Sequence, residues 1–191
     1  MGIILASGSP RRKELLELLG IKELKIHPAK GEECPPENAG PAETVKALSL
    51  QKAREVAALY AGEDDIVVAA DTIVWFDGRI FGKPHSAEEA VRMLSELSGN
   101  THEVYTGVAV IKGETVVSEC EVTEVHFRDI DRREIAAYVA TGEPLDKAGS
   151  YGAQGKGALF VRGIDGDFFN VMGLPLCRLD AMLKSVGYKL I

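Results

Sequence analysis

Apolar residues recur along this chain as short continuous runs and as three-to-four spacings, and the alternation of the two predicts an α/β fold. Ile3 to Ala6 is an apolar run suited to a buried strand, and Ser9-Pro10 then supplies an N-cap and a first helical position. The helix that follows carries Leu15, Leu16, Leu18 and Leu19 toward its inner side and stops near Gly20. Residues 30–41 are polar, hold three prolines and predict a loop. From Ala42 to Tyr60 the positions Val45, Leu48, Val56 and Leu59 fit a second helix.

Ile66 to Phe76 is nearly continuously apolar and rich in β-branched residues, which predicts a central strand. Asp77-Gly78 signals a hairpin into a short strand through Ile80 and Phe81. Ser86 with Glu89 forms a capping-box pattern that opens a helix ending near Gly99. Val104–Ile111 and Glu114–Phe127, joined at Lys112-Gly113, predict a long hairpin. Asp131 with Glu134 opens another helix that ends near Gly142. Residues 149–157 hold four glycines and predict a tight or ligand-facing loop. Leu159–Val161 and Phe168–Met172 have strand character around Asp165-Gly166. Pro175 opens a last helix with Leu176, Leu179, Leu183 and Val186 on one face. Hairpins interrupt any strand–helix–strand rhythm, so the expected sheet is mixed, largely antiparallel and central, flanked by helices. No repeat or linker divides residues 1–191, which predicts a single domain.

Five segments carry candidate chemistry. In Ser7-Gly8-Ser9-Pro10-Arg11-Arg12-Lys13 a strand runs through a Gly/Ser loop into a helix whose first turn holds three cations. Cations oppose the positive end of the helix dipole, and an anion such as phosphate seated there reconciles them; three solvated side chains are the alternative. Asp71, in Ala69-Ala70-Asp71-Thr72, places a carboxylate inside an apolar strand, a cost that metal binding, general-base work or a structural cap would explain. Lys83, between Gly82 and Pro84, lies just beyond the Asp77-Gly78 turn that could return it toward Asp71. Glu32-Glu33 sit in the polar loop, and Lys52 lies among small and apolar residues of the second predicted helix. In residues 146–155 the glycines allow close backbone approach to a flat ligand. Gln154 there offers an amide that matches a pyrimidine edge, and Tyr151 suits either stacking or core. The four histidines lack ligand spacing among themselves, which favours structural or solvated roles.

Composition narrows the partners. The net charge of −7 argues against a broad basic face for nucleic acid while leaving room for a small anion in a locally basic pocket. No run suits a signal peptide or a membrane span, and three scattered cysteines form neither a disulfide framework nor a zinc knuckle. These features predict a cytoplasmic protein with no membrane and no nucleic-acid partner.

In order along nearly the whole chain, LASGSPRRKELL at 5–16, AADTIV at 69–74, GKP at 82–84, Thr106-Gly107-Val108, DKAGSYGAQGKGALFV at 146–161 and NVMGLPL at 170–176 resemble the Maf family of nucleotide pyrophosphatases. The Tyr-Gly-x-Gln-Gly pattern is similar to the branch acting on dTTP and UTP. The resemblance implies an α/β fold like that of inosine triphosphatases, with a cleft between two lobes. It also implies cleavage of a nucleoside triphosphate between the α- and β-phosphates. By matching position, Asp71 is implied as proton acceptor, and Ser9, Arg11, Arg12, Glu33, Lys52 and Lys83 as lining the phosphate and metal site. Arg11, Thr72 and Gln154 match positions tied to substrate choice. The expected cofactor is a divalent cation, Mg²⁺ or Mn²⁺, on Glu33 and Asp71, with Glu32 the alternative to Glu33. The resemblance leaves room for a homodimer. Two rival readings remain at this stage: a nucleotide-binding regulator that inhibits cell division or septum formation without hydrolysis, and a nucleic-acid-binding protein.

Overall fold

The computed structural model describes residues 2–21 and 23–191. Its strands are β1 (Ile3–Leu5), β2 (Leu24–Ile26), β3 (Ile66–Phe76), β4 (Arg79–Phe81), β5 (Thr101–Lys112), β6 (Thr115–Phe127) and β7 (Val161–Asp165). Its helices are α1 (Pro10–Leu18), α2 (Pro41–Tyr60), α3 (Ala87–Leu97), α4 (Arg132–Val139), α5 (Phe168–Val171) and α6 (Leu176–Ser185). The strands hydrogen-bond in the order β2-β1-β3-β5-β6-β7, with β4 on β3. The sheet is mixed as expected. β1 runs parallel to β2 and β3, while β4 is antiparallel to β3 and β7 to β6.

The chain divides into two compact units. The first comprises residues 1–71, 106–121 and 173–191, and its core sets Ile4, Val67, Ala69, Ala109 and Ile111 against Ala53 and Val56 of α2. Gly107 makes this packing feasible. A Cβ there would fall 2.2 Å from the Val45 carbonyl oxygen, so only glycine admits the α2 backbone this close to β5. Lys112 Nζ donates to the Val186 carbonyl beyond the last turn of α6 at 3.0 Å.

The second unit comprises residues 72–105 and 122–172. Its core is aromatic: Phe127 meets His102, Tyr151 and Phe160 edge-on, and Phe160 meets Tyr138. α3 opens on Ser86, whose side chain accepts from Glu89 N, and α4 opens on the full Asp131–Glu134 capping box. Asp77 and Gly78 both take positive φ, 49° and 72°, the twist a two-residue hairpin turn requires.

Several expectations need correction. Leu18 and Leu59 are exposed, at the margins of the faces assigned to them. β2 is a three-residue strand that the hydrophobic pattern did not reveal. Residues 156–160 form a 3₁₀ turn, and the strand follows it at 161–165. Phe168–Val171 is a helix, because Asp167 caps it by accepting from Phe169 N at 2.7 Å. No helix among the described residues is long and apolar enough to cross a membrane.

Candidate active site

The first unit gathers most of the candidate residues. β1 delivers the chain to Ser7, which is buried, and Ser7 Oγ accepts from Ser9 N at 3.2 Å. Ser9 stands at the N-cap of α1 with extended backbone, but its side chain makes no capping bond. Pro10 fills the first helical position, and no acidic residue enters the first turn. The positive end of α1 therefore keeps the basic composition read from the sequence.

Arg12 turns back from this first turn. Its Nε donates to the Gly173 carbonyl at 2.8 Å and one terminal nitrogen donates to Ser7 Oγ at 3.1 Å. The planar guanidinium thus ties together β1's exit and the segment before α6, using two of its rigidly held N–H donors. Burial pulls the Arg12 pKa below its ordinary value, opposed by the charge of Asp71 and reinforced by that of Arg11, with Glu33 opposing it as well. Those mutual fields place Arg12, Asp71, Arg11 and Glu33 within electrostatic reach of one another.

Asp71 ends the part of β3 that belongs to this unit, and it is only 9% exposed. Its desolvation is met by Lys52, whose Nζ stands 2.6 Å from Oδ1. The same ammonium lies 2.8 Å from Glu33 Oε1. One lysine on α2 therefore holds a strand carboxylate and a loop carboxylate together. Glu33, half-exposed, is the loop acid that reaches Lys52, whereas Glu32 contributes its backbone carbonyl to Gln51. Ser7 and the Gly173 carbonyl were not singled out from the sequence, although both lie inside segments that carry the family resemblance.

Thr72, Lys83 and Gln154 fall in the second unit. Thr72 is half-buried, while Lys83 and Gln154 are exposed. There Gly149 N donates to the Gly82 carbonyl at 3.1 Å, which draws the Lys83 segment against the glycine loop. A Cβ on Gly149 would come within 2.7 Å of Val74, so the loop lies tight on β3. Ser150 adopts a positive φ of 62°, a conformation disfavoured for a side chain, and is fully buried with its Oγ on Met93 Sδ. Tyr151 belongs to the core: it is 5% exposed and its hydroxyl pairs with His102 Nε2 at 2.8 Å. It has no face left for stacking on a base.

The Maf-like protein family matches residues 2–186. The chain belongs to that family. This Maf-like chain is 55% identical over 182 residues to a Bacillus cytotoxicus protein named dTTP/UTP pyrophosphatase, covering 95% of this chain and 94% of the relative. Proteins of the same name from Bacillus cereus and Bacillus anthracis are 54% identical over 183 residues, with 96% and 94% covered. Among solved structures, the Staphylococcus aureus Ham1 protein matches 97% of this Maf-like chain and all of its own with a TM-score of 0.52. At 13% identity that likeness establishes the fold alone.

Proposed function

We propose that this chain is a nucleoside triphosphate pyrophosphatase that hydrolyses dTTP and UTP to the monophosphate and pyrophosphate. The observation that carries the proposal is the shared ammonium: a nearly buried strand carboxylate and a loop carboxylate meet on Lys52, within the field of Arg12 at a basic helix start. Relatives of that name, aligned over 94% of their length, support the choice of substrate.

In this reading the triphosphate lies at the N-terminal turn of α1, where Ser9, Arg11 and Arg12 face its oxygens. Asp71, one oxygen held by Lys52, takes a proton from water with the other. The water oxygen then bonds to the α-phosphorus as the bond from that phosphorus to the bridging oxygen breaks. Lys52 neutralises the charge gathering on the departing pyrophosphate. By the family resemblance, Thr72 and Gln154 of the second unit are assigned to substrate choice.

A divalent ion suits the donor set. Glu33 and Asp71 supply hard carboxylate oxygens that both meet the Lys52 ammonium and so lie near one another. Such a pair fits Mg²⁺ or Mn²⁺, which take one or two carboxylates and fill their remaining positions from phosphate and water. When bound, the ion polarises the phosphate oxygens. Three free cysteines accord with a cytoplasmic setting.

The test is a panel of natural nucleoside triphosphates with Mg²⁺ or Mn²⁺, scored for both products. Equal amounts of pyrophosphate and monophosphate from dTTP and UTP are expected. Tight nucleotide binding without either product would instead establish the regulatory reading.

A further inference from the structure

Glu33 is half-exposed on a loop with three prolines nearby, yet its carboxylate meets Lys52 at 2.8 Å. A loop side chain in that setting has no rotamer locked by packing, so something else must aim it. The aiming comes from α2. The Gln51 side-chain amide spans the residue: its Nε2 donates to the Glu32 carbonyl at 2.6 Å and its Oε1 accepts from Cys34 N at 3.2 Å. Both neighbours of Glu33 are thereby fastened by one planar group. One turn further along α2, the Glu55 carboxylate accepts from Lys30 N at 2.7 Å and from Gly31 N at 3.0 Å. Gln51 and Glu55 are four apart and so share a helix face, and Lys52 lies between them in sequence. The helix that carries the ammonium thus also carries the template for the loop whose carboxylate must find it.

We infer that Gln51 is a positioning residue of the reaction, acting through Glu33, with Glu55 as its second anchor. Resting on the catalytic reading above, the inference gives Gln51 no contact with substrate. Its amide fixes the backbone on both sides of Glu33, and the carboxylate is then delivered to the Lys52–Asp71 pair without a search. Gln51 suits this task because an amide donates and accepts at once. A glutamate keeps only the accepting half, and a leucine keeps neither.

The experiment is a cycle of Gln51→Leu, Gln51→Glu, Glu33→Gln and the double variant Gln51→Leu/Glu33→Gln, assayed on dTTP with Mg²⁺ for kcat and KM separately. Thermal unfolding and amide hydrogen exchange of residues 30–34 are measured on the same proteins without nucleotide. Misplacing a catalytic group by about 1 Å can cost up to about 100-fold in rate, so Gln51→Leu is expected to lower kcat about 10-fold or more. KM should change less than threefold, with Gln51→Glu in between. Exchange at residues 30–34 should speed up while the melting temperature stays within a few degrees. In the Glu33→Gln background Gln51→Leu should cost nothing further. A full additional loss in that background overturns the inference, since Gln51 would then act on something other than Glu33. So does an unchanged kcat for Gln51→Leu while Glu33→Gln is impaired. Full turnover by Glu33→Gln overturns the role given to Glu33 in the reaction, and the positioning role falls with it.

Discussion

The ammonium of Lys52 lies 2.6 Å from Oδ1 of Asp71, on a strand whose neighbouring positions are almost all closed to solvent. A carboxylate in such a place demands a charged partner, and the partner comes from α2 rather than from the sheet. The arrangement rests on backbone proximity, because Lys52 can reach β3 only if α2 lies close to the sheet. Two side chains widely separated in sequence thus share one requirement: the helix must not move.

Replacing Asp71 with Asn keeps the shape of the side chain and an oxygen for Lys52 but removes the proton acceptor. Turnover of dTTP should fall by about 10³-fold, in the range a positioned general base contributes. Calorimetry should still record nucleotide binding, and the melting temperature should stay within a few degrees. Product release within tenfold of the native rate would assign the proton to another group.

The helix requirement is testable at Gly107, where a Cβ would fall 2.2 Å from the Val45 carbonyl oxygen and 2.7 Å from Lys46 N. Those are backbone atoms and cannot rotate away. Gly107→Ala should cost roughly 1–3 kcal/mol or more by overpacking, read in urea unfolding. It should also lower kcat, because a shifted α2 carries Lys52 with it. A protein as stable and active as the native one would show that α2 has slack at this contact.

How much of this was legible beforehand depends on the length of the signal. The eleven-residue run of β3 announced itself, and with it the anomaly of Asp71. The capping residues of α3 and α4 marked their starts because Ser86, Asp131 and Glu134 act within one turn. The segment Phe168–Val171 misled because aromatic and β-branched residues favour strands, and the single short-range cap on Asp167 outweighed that preference. Tyr151 left two roles open that only its burial beside His102 could separate. The site showed the same division. Residue types singled out Arg12, Lys52 and Asp71. The groups that hold Arg12, Ser7 and the Gly173 carbonyl, and the one that aims Glu33, Gln51, act through tertiary contacts that residue type alone does not encode.

Gln154 is exposed in the glycine loop, so truncating it should leave the fold untouched. In the proposed reading its amide recognises the carbonyl and imide N–H of a pyrimidine. Gln154→Ala should narrow the kcat/KM preference for dTTP and UTP over CTP by about 10-fold while inorganic pyrophosphate inhibits as before. Substrate profiles are the measurement, and an unaltered ranking removes Gln154 from base recognition.

His102 supplies a pH dependence in the second unit. It is 2% exposed, its Nε2 pairs with the Tyr151 hydroxyl, and its Nδ1 has no partner among the described residues. Burial, helped by the charge of His126, pushes its pKa down from 6.5 to about 3. In the folded protein the ring therefore stays neutral down to about pH 3, while in the unfolded chain it takes a proton below about pH 6.5. The unfolded state binds more protons across that window, so stability falls as the pH falls through it and levels off only near pH 3. The contribution from this one group approaches about 1.4 kcal/mol per pH unit in the steepest part. Acidic pairs such as Arg128–Glu134 also weaken in acid, so the informative quantity is a difference between two proteins. His102→Gln can still meet the Tyr151 hydroxyl but does not titrate. Above pH 7 the native protein should exceed the variant in unfolding free energy by a constant margin. From pH 6.5 toward pH 4 that margin should shrink steadily and can change sign. Parallel stability curves for the two proteins over that range would mean that His102 accepts its proton in the folded core as readily as in the unfolded chain.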